Sequence, residues 1–178
     1  VRPLRQISGA YHFNEVFLDD ARLEPGQLIG SLGDGFAVLR TMLTSERAAI
    51  GGGTSARSFA QLRGMAEATG RNHDPHVRQQ IARAYTRERL LDLVGERVGQ
   101  IPMGGSVAKL SYSEHARLTS SAALEILGPS ATVLDDPTSQ PWLDRFLFAP
   151  GLRLGGGTDE IQRNTIAERG LGLPREPA

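Results

Sequence analysis

From Gly35 to Leu127 the apolar residues fall at helical intervals, with two short connections between the runs. Leu39, Leu43 and Ile50 mark one stripe, continued by Phe59, Leu62 and Met65. Val77, Ile81, Ala84, Leu90, Leu91 and Val94 mark a second. Val107, Leu110, Ala116, Leu118, Ala122 and Ile126 mark a third. This spacing predicts helices over 35–68, 75–99 and 106–127. A fourth runs from Thr158 to about Arg169, where Gly170 stops it. Four helices with short connections predict a mainly α fold, an antiparallel up-down four-helix bundle. Asp74 caps the second helix and Pro75 takes its first position. Gly51-Gly52-Gly53 interrupts the first helix at a cost of roughly 2–3 kcal/mol against alanine. Such a triplet marks close backbone packing or a break in the helix.

The first 33 residues differ. Tyr11 to Leu18 mixes aromatic and β-branched residues with polar ones, and Asp19-Asp20 reads as a turn. A short hairpin or strand segment is expected there. A lone hairpin is marginal in water, so it packs on the helices or belongs to a larger sheet. Ser130 to Gln140 reads as a loop. Pro141 to Phe148 is densely apolar and should dock on the bundle, with Trp142 as a core or interface anchor.

Two places carry candidate chemistry. Gly155-Gly156-Gly157 runs into Thr158, an N-cap, followed by Asp159 and Glu160 in the first turn, which offset the helix dipole. This is either a hinge before a capped helix or a site where a ligand approaches the backbone. Glu46 falls on the Leu43–Ile50 stripe at i+3. A buried carboxylate disfavours its charged form, which suits a general base near neutral pH. The other reading is a salt bridge to a packing partner. His73 and His76 flank a loop-to-helix junction and read as surface polar residues rather than metal ligands.

Composition removes other classes. Lys+Arg and Asp+Glu are both 20, so no global charge draws the 178-residue chain to nucleic acid or an anionic membrane. The absence of cysteine excludes disulfides and thiol nucleophiles, and is compatible with a cytoplasmic protein. No apolar run is long enough for a membrane span.

Gly157-Thr158-Asp159-Glu160-Ile161-Gln162-Arg163 resembles the segment that opens the last helix of acyl-CoA dehydrogenases. Phe13 to Asp20 is similar to the end of that family's middle β-domain. The resemblance implies that residues 1–33 end a middle β-domain and that 34–178 form a C-terminal helical bundle domain. In many members a glutamate catalytic base directly precedes the Gly-Thr pair; here that position is Gly156. Other members carry the base in a Leu-x-x-Glu-Arg segment on the first helix, similar to Leu43-Thr44-Ser45-Glu46-Arg47. The resemblance therefore implies Glu46 as catalytic base and Arg47 as a substrate-binding residue near the CoA moiety.

It also implies FAD as cofactor, with Thr158 and Glu160 at flavin-contacting positions. Glu125 and Gly128 match a Gln-x-x-Gly-Gly segment near the adenine end of FAD, with Glu for Gln and Pro129 for the second glycine. Arg71 stands nearest the arginine of an Arg-x-x-Phe-Gly motif that reaches a partner subunit's FAD; its other reading is a solvated loop arginine. The implied reaction is α,β-dehydrogenation of an acyl-CoA thioester, with electrons passed to an electron-transfer flavoprotein, in a homo- or hetero-oligomer (dimer or tetramer). The isolated chain is expected not to turn over, because the family binds flavin between domains. Two other readings stay open: a non-catalytic or half-site subunit of a hetero-oligomeric dehydrogenase, and a non-enzymatic helical assembly module.

Overall fold

A computed structural model of the chain describes residues 1–51, 58–134 and 136–175; the side chains of Thr44 and of residues 47–51 lie outside that description. Two short strands, β1 (Arg2–Leu4) and β2 (Phe13–Glu15), pair antiparallel, with Pro3 opposite Asn14. Every residue of both strands is exposed. Among the described residues six α-helices follow: α1 (Gly35–Gly51), α2 (Phe59–Ala68), α3 (Pro75–Arg97), α4 (Gly104–Leu127), α5 (Gln140–Leu154) and α6 (Asp159–Thr165). A single π turn, Ile166–Gly170, extends α6.

The structure is mainly helical, as the spacing predicts, with three differences. The stretch expected as one helix over 35–68 is two helices, α1 ending at Gly51 and α2 starting at Phe59. Gly52 and Gly53 of the glycine triplet, with the rest of 52–57, lie outside the described residues. The apolar segment at Pro141 is a full helix, α5, with Pro141 in its first turn. Leu39 and Leu90, expected inside, are 42% and 53% exposed, because no described element covers those faces.

The core lies where α2, α3 and α4 meet. Leu62, Met65 and Ala66 of α2 pack with Val77 and Ala84 of α3 and with Ala122, Ala123, Ile126 and Leu127 of α4. Trp142 closes this cluster from α5, with the Arg145 guanidinium 4.6 Å from its ring centroid. Asp74 caps α3 as expected, accepting the His76 and Val77 amides at 2.9 and 3.4 Å.

Helix α4 packs against all five other helices. Its buried positions are largely small, among them Gly104, Ser106, Ala108, Ser113, Ser120, Ala122 and Ala123. Small side chains let neighbouring backbones come close. Gly104 shows this most sharply: a Cβ there would sit 1.9 Å from the Val98 carbonyl oxygen. That contact closes the α3–α4 connection, where Met103 adopts φ of 55°.

Two glycines with opposite surroundings test this packing. Gly104→Ala should destabilise the fold by about 1–3 kcal/mol through overpacking. Gly95→Ala, at a helical position with open space around it, should stabilise it by about 0.4–1 kcal/mol by restricting the unfolded chain. Urea denaturation of the two variants reads both signs.

Candidate functional site

The sequence candidates separate into two groups on the structure. The first lies around α1 and α6. A cleft of about 640 Å³ between them is lined by Phe36, Arg40, Thr41 and Leu43 of α1 and by Ile161, Thr165 and Arg169. That volume suits a small-molecule site. Leu43 lines the cleft, and Glu46 lies about one turn further along α1, outside the cleft lining. Glu46 is exposed, so the burial expected of it is not found. The side chain of Arg47 lies outside the described residues.

At the start of α6 the Thr158 hydroxyl accepts the Ile161 amide at 3.2 Å, the N-cap foreseen from sequence. Glu160 is held below its ordinary pKa by its own backbone N–H and then by the Thr158 hydroxyl. Gly156 and Gly157 both have positive φ, 68° and 92°. The Gly156 carbonyl accepts Gln162 Nε2 at 2.7 Å. A side chain at 156 would meet backbone strain at that positive φ.

The second group lies at the far end of α4. Arg71 donates to the Glu125 carbonyl and, at 2.9 Å, to Asp74. The Glu125 carboxylate sits 3.0 Å from His76 Nε2 and also accepts from Gln80 Nε2. Gly128 follows at the C-cap of α4 with φ of 61°, and open space lies where a Cβ would point. Arg71 and Glu125 are thus brought together, with Gly128 one turn on. The sixteen residue steps from Lys109 to Glu125 span about 24 Å of helix. The two groups therefore sit near opposite ends of α4.

The most heavily built polar feature was not foreseen. Asp159 is 0% exposed rather than solvated in the first turn of α6. Its carboxylate accepts Lys109 Nζ at 2.9 Å, Ser113 Oγ at 2.8 Å and Arg153 Nε at 2.7 Å. Lys109 is also 0% exposed and donates to the Arg153 carbonyl at 3.1 Å. Burial pushes the Asp159 carboxyl up. The hydrogen bonds from Arg153, Lys109 and Ser113, with the Lys109 charge, outweigh it and hold the group below its ordinary value. One signal was available in sequence: Lys109 and Ser113 stand i,i+4 within a helix otherwise rich in small and apolar residues.

A second hollow, about 430 Å³, lies between α2 and α3 around Phe59, Ile81 and Tyr85. It contains none of the sequence candidates.

This bundle is of the acyl-CoA dehydrogenase C-terminal type: the family described as "Acyl-CoA dehydrogenase, C-terminal domain" matches residues 33–171. The chain belongs to the acyl-CoA dehydrogenase family. It is 37% identical over 99% of its length to the acyl-CoA dehydrogenase IpdE1 of Mycobacterium tuberculosis, covering 48% of that protein. It is 35% identical over 99% of its length to IpdE1 of Mycolicibacterium smegmatis, covering 46%. The chain thus spans about half the length of these relatives. Among solved structures, it matches the ChsE4–ChsE5 complex from Mycobacterium tuberculosis with a TM-score of 0.77 at 24% identity, covering 98% of this chain and 50% of that one. It also matches a chain described as the Tcur3481–Tcur3483 steroid ACAD G363A variant, with a TM-score of 0.81 at 20% identity over 98% and 49%. The family is FAD-dependent and its members are oxidoreductases. No helix among the described residues is long and apolar enough to cross a membrane.

Asp159→Asn leaves Lys109 buried without its counter-charge and should cost about 3–5 kcal/mol. The sign of its pH dependence follows from the lowered folded pKa. Asp159 contributes fully above the unfolded value of about 3.9, and that contribution is lost as pH falls toward the lower folded value. Urea midpoints measured from about pH 6 to pH 3 should fall more steeply for the parent chain than for Asp159→Asn.

Proposed function

We propose that the chain is the C-terminal part of an FAD-dependent acyl-CoA dehydrogenase, with Glu46 as the base that removes the α-proton of an acyl-CoA thioester. The observation that carries this reading is the exposure of Glu46 on α1, one turn beyond Leu43, on the helix that supplies one wall of the α1–α6 cleft. An exposed carboxylate on this helix is free to meet a substrate carbon, and burial can follow when ligand and neighbouring polypeptide cover it. Gly156 has no carboxylate to offer, and its backbone is held by Gln162.

The donor set of the cleft fits part of such a ligand pair. Two guanidinium groups, Arg40 and Arg169, and two hydroxyls, Thr41 and Thr165, sit beside Phe36, Leu43 and Ile161. Apolar walls suit a flat ring or acyl chain, and the guanidinium groups suit phosphate oxygens. Thr158 and Glu160 are the residues that would meet the flavin, and Arg47 the CoA moiety. Bound FAD would supply the acceptor for the hydride that leaves the β-carbon, with an electron-transfer flavoprotein as the onward electron acceptor. Glu46 accepts the proton, so the thioester loses one proton and one hydride and gains a carbon–carbon double bond.

Arg71, Glu125 and Gly128 would serve a different flavin, held by a partner subunit, because they sit near the end of α4 remote from the cleft. That arrangement requires an oligomer. In this reading residues 1–33 are the end of a middle β-domain and 34–178 the helical domain. The exposure of Leu23, Leu28, Ile29, Leu32 and Phe36 supports burial of that stretch against further polypeptide. The solved neighbour described as a steroid ACAD makes a steroid-type acyl-CoA the first substrate to try.

The second reading, a half-site subunit of a hetero-oligomeric dehydrogenase, is favoured by Gly156 at the base position and by fold neighbours solved as two-component assemblies. Glu46→Gln in the assembled, flavin-loaded dehydrogenase separates the two. With Glu46 as base, kcat falls about 10²- to 10⁴-fold while flavin content is unchanged. Undiminished turnover would remove Glu46 from the mechanism and leave the half-site reading.

A further inference from the structure

Helix α6 is seven residues long, too short to hold its shape or direction alone. Its two buried side chains, Asp159 and Gln162, are both polar. The helix is thus docked by polar anchors in place of an apolar stripe. Asp159 ties it to Lys109 and Ser113 of α4 and to Arg153 of the last turn of α5. Gln162, one turn on, holds the Gly156 and Gly157 carbonyls at 2.7 and 3.3 Å. The residues that face outward lie between and beside these anchors: Glu160 is 72% exposed in its side chain, and Ile161 and Thr165 line the cleft with α1.

We propose that the Asp159 carboxylate is a positioning group: by anchoring the first turn of α6 to α4 and α5, it fixes the Gly155–Thr158 turn and holds Thr158 and Glu160 where the flavin meets this chain. The second half of this inference rests on the flavin reading given above. The physical argument has three parts. A fully buried ion pair is expensive to desolvate, and an apolar pair of the same volume is often as stable, so its distinctive contribution is a single orientation. The three donors come from two helices and surround both carboxylate oxygens, which defines the rotation of α6 about its axis as well as its position. The adjoining turn contains two consecutive positive-φ glycines, a backbone with wide freedom unless its ends are fixed. Asp159 and Gln162 supply those fixed ends.

Asp159 touches neither cofactor nor substrate in this account. Its variants should therefore move spectroscopic and local-dynamic readouts beyond what lost stability explains. The test uses the assembled dehydrogenase with Asp159→Asn, and with Ser113→Ala and Arg153→Gln as milder variants that do not strand a buried lysine. Leu62→Ala, in the core away from α6, serves as a destabilised comparison. The first readout is amide hydrogen exchange. The variants should speed exchange at Thr158–Gln162 at least tenfold relative to α3, and Leu62→Ala should not. The second readout is the flavin. The variants should weaken FAD binding about tenfold and shift its visible absorption band, while folded Leu62→Ala keeps the parent band.

Two failures are distinguishable. A parent assembly that carries no flavin overturns the flavin reading and with it the cofactor half of this proposal. A yellow parent whose Asp159, Ser113 and Arg153 variants keep the parent band, FAD affinity and α6 exchange overturns the proposal itself.

Discussion

The contact between Lys109 and Asp159 is the constraint on which the placement of α6 in this bundle depends. Both side chains are fully buried, 2.9 Å apart, on helices separated by fifty residues of chain. Removing two charges from water is costly, and only close, multiply hydrogen-bonded geometry offsets it. Asp159 meets that condition with three donors, and Lys109 gains a second acceptor in the Arg153 carbonyl. The end of α5 and the start of α6 are thereby joined to the central helix. A second strap lies nearer the surface: Glu114 of α4 accepts Arg163 of α6 at 2.6 Å and Arg87 of α3 at 3.1 Å.

The rest of the architecture gives this contact its setting. Helix α4 is central because its small residues allow five helices to approach it. At its N-terminal half it anchors α6, beside the cleft that α6 forms with α1. At its C-terminal end Glu125 gathers Arg71, His76 and Gln80. Between the two ends lies an apolar core formed with α2 and α3. One rigid helix therefore sets the separation of two polar regions, which in the proposed assembly belong to two different flavins.

Much of this was legible in the sequence, and the reasons are local. Asp74-Pro75 encodes a cap and a first helical position that need no tertiary information, and Thr158 caps α6 for the same reason. The apolar spacing of Leu62 and Met65, and of Val77 and Ala84, identifies faces that become the core. Three features were not legible. Helix α5 was read only as an apolar segment, because proline and aromatic density masked its helical period. Leu39 sits on a good apolar stripe yet stays largely exposed, since periodicity tells which face is apolar but not what covers it. Asp159 looked like an ordinary first-turn acid; its burial depends on a lysine fifty residues earlier, a pairing that spacing within one helix cannot reveal. The family resemblance draws attention to Gly156 and Thr158, while the residue between Thr158 and Glu160, Asp159, carries the anchoring.

A double-mutant cycle between Lys109 and Asp159 tests the central claim most directly. Unfolding free energies of Lys109→Met, Asp159→Asn and the double variant give the coupling between the two side chains. A single buried, oriented pair predicts a coupling of about 2–3 kcal/mol, with the double variant losing less than the sum of the single losses. A coupling below about 0.5 kcal/mol, as found for independent sites, would contradict it.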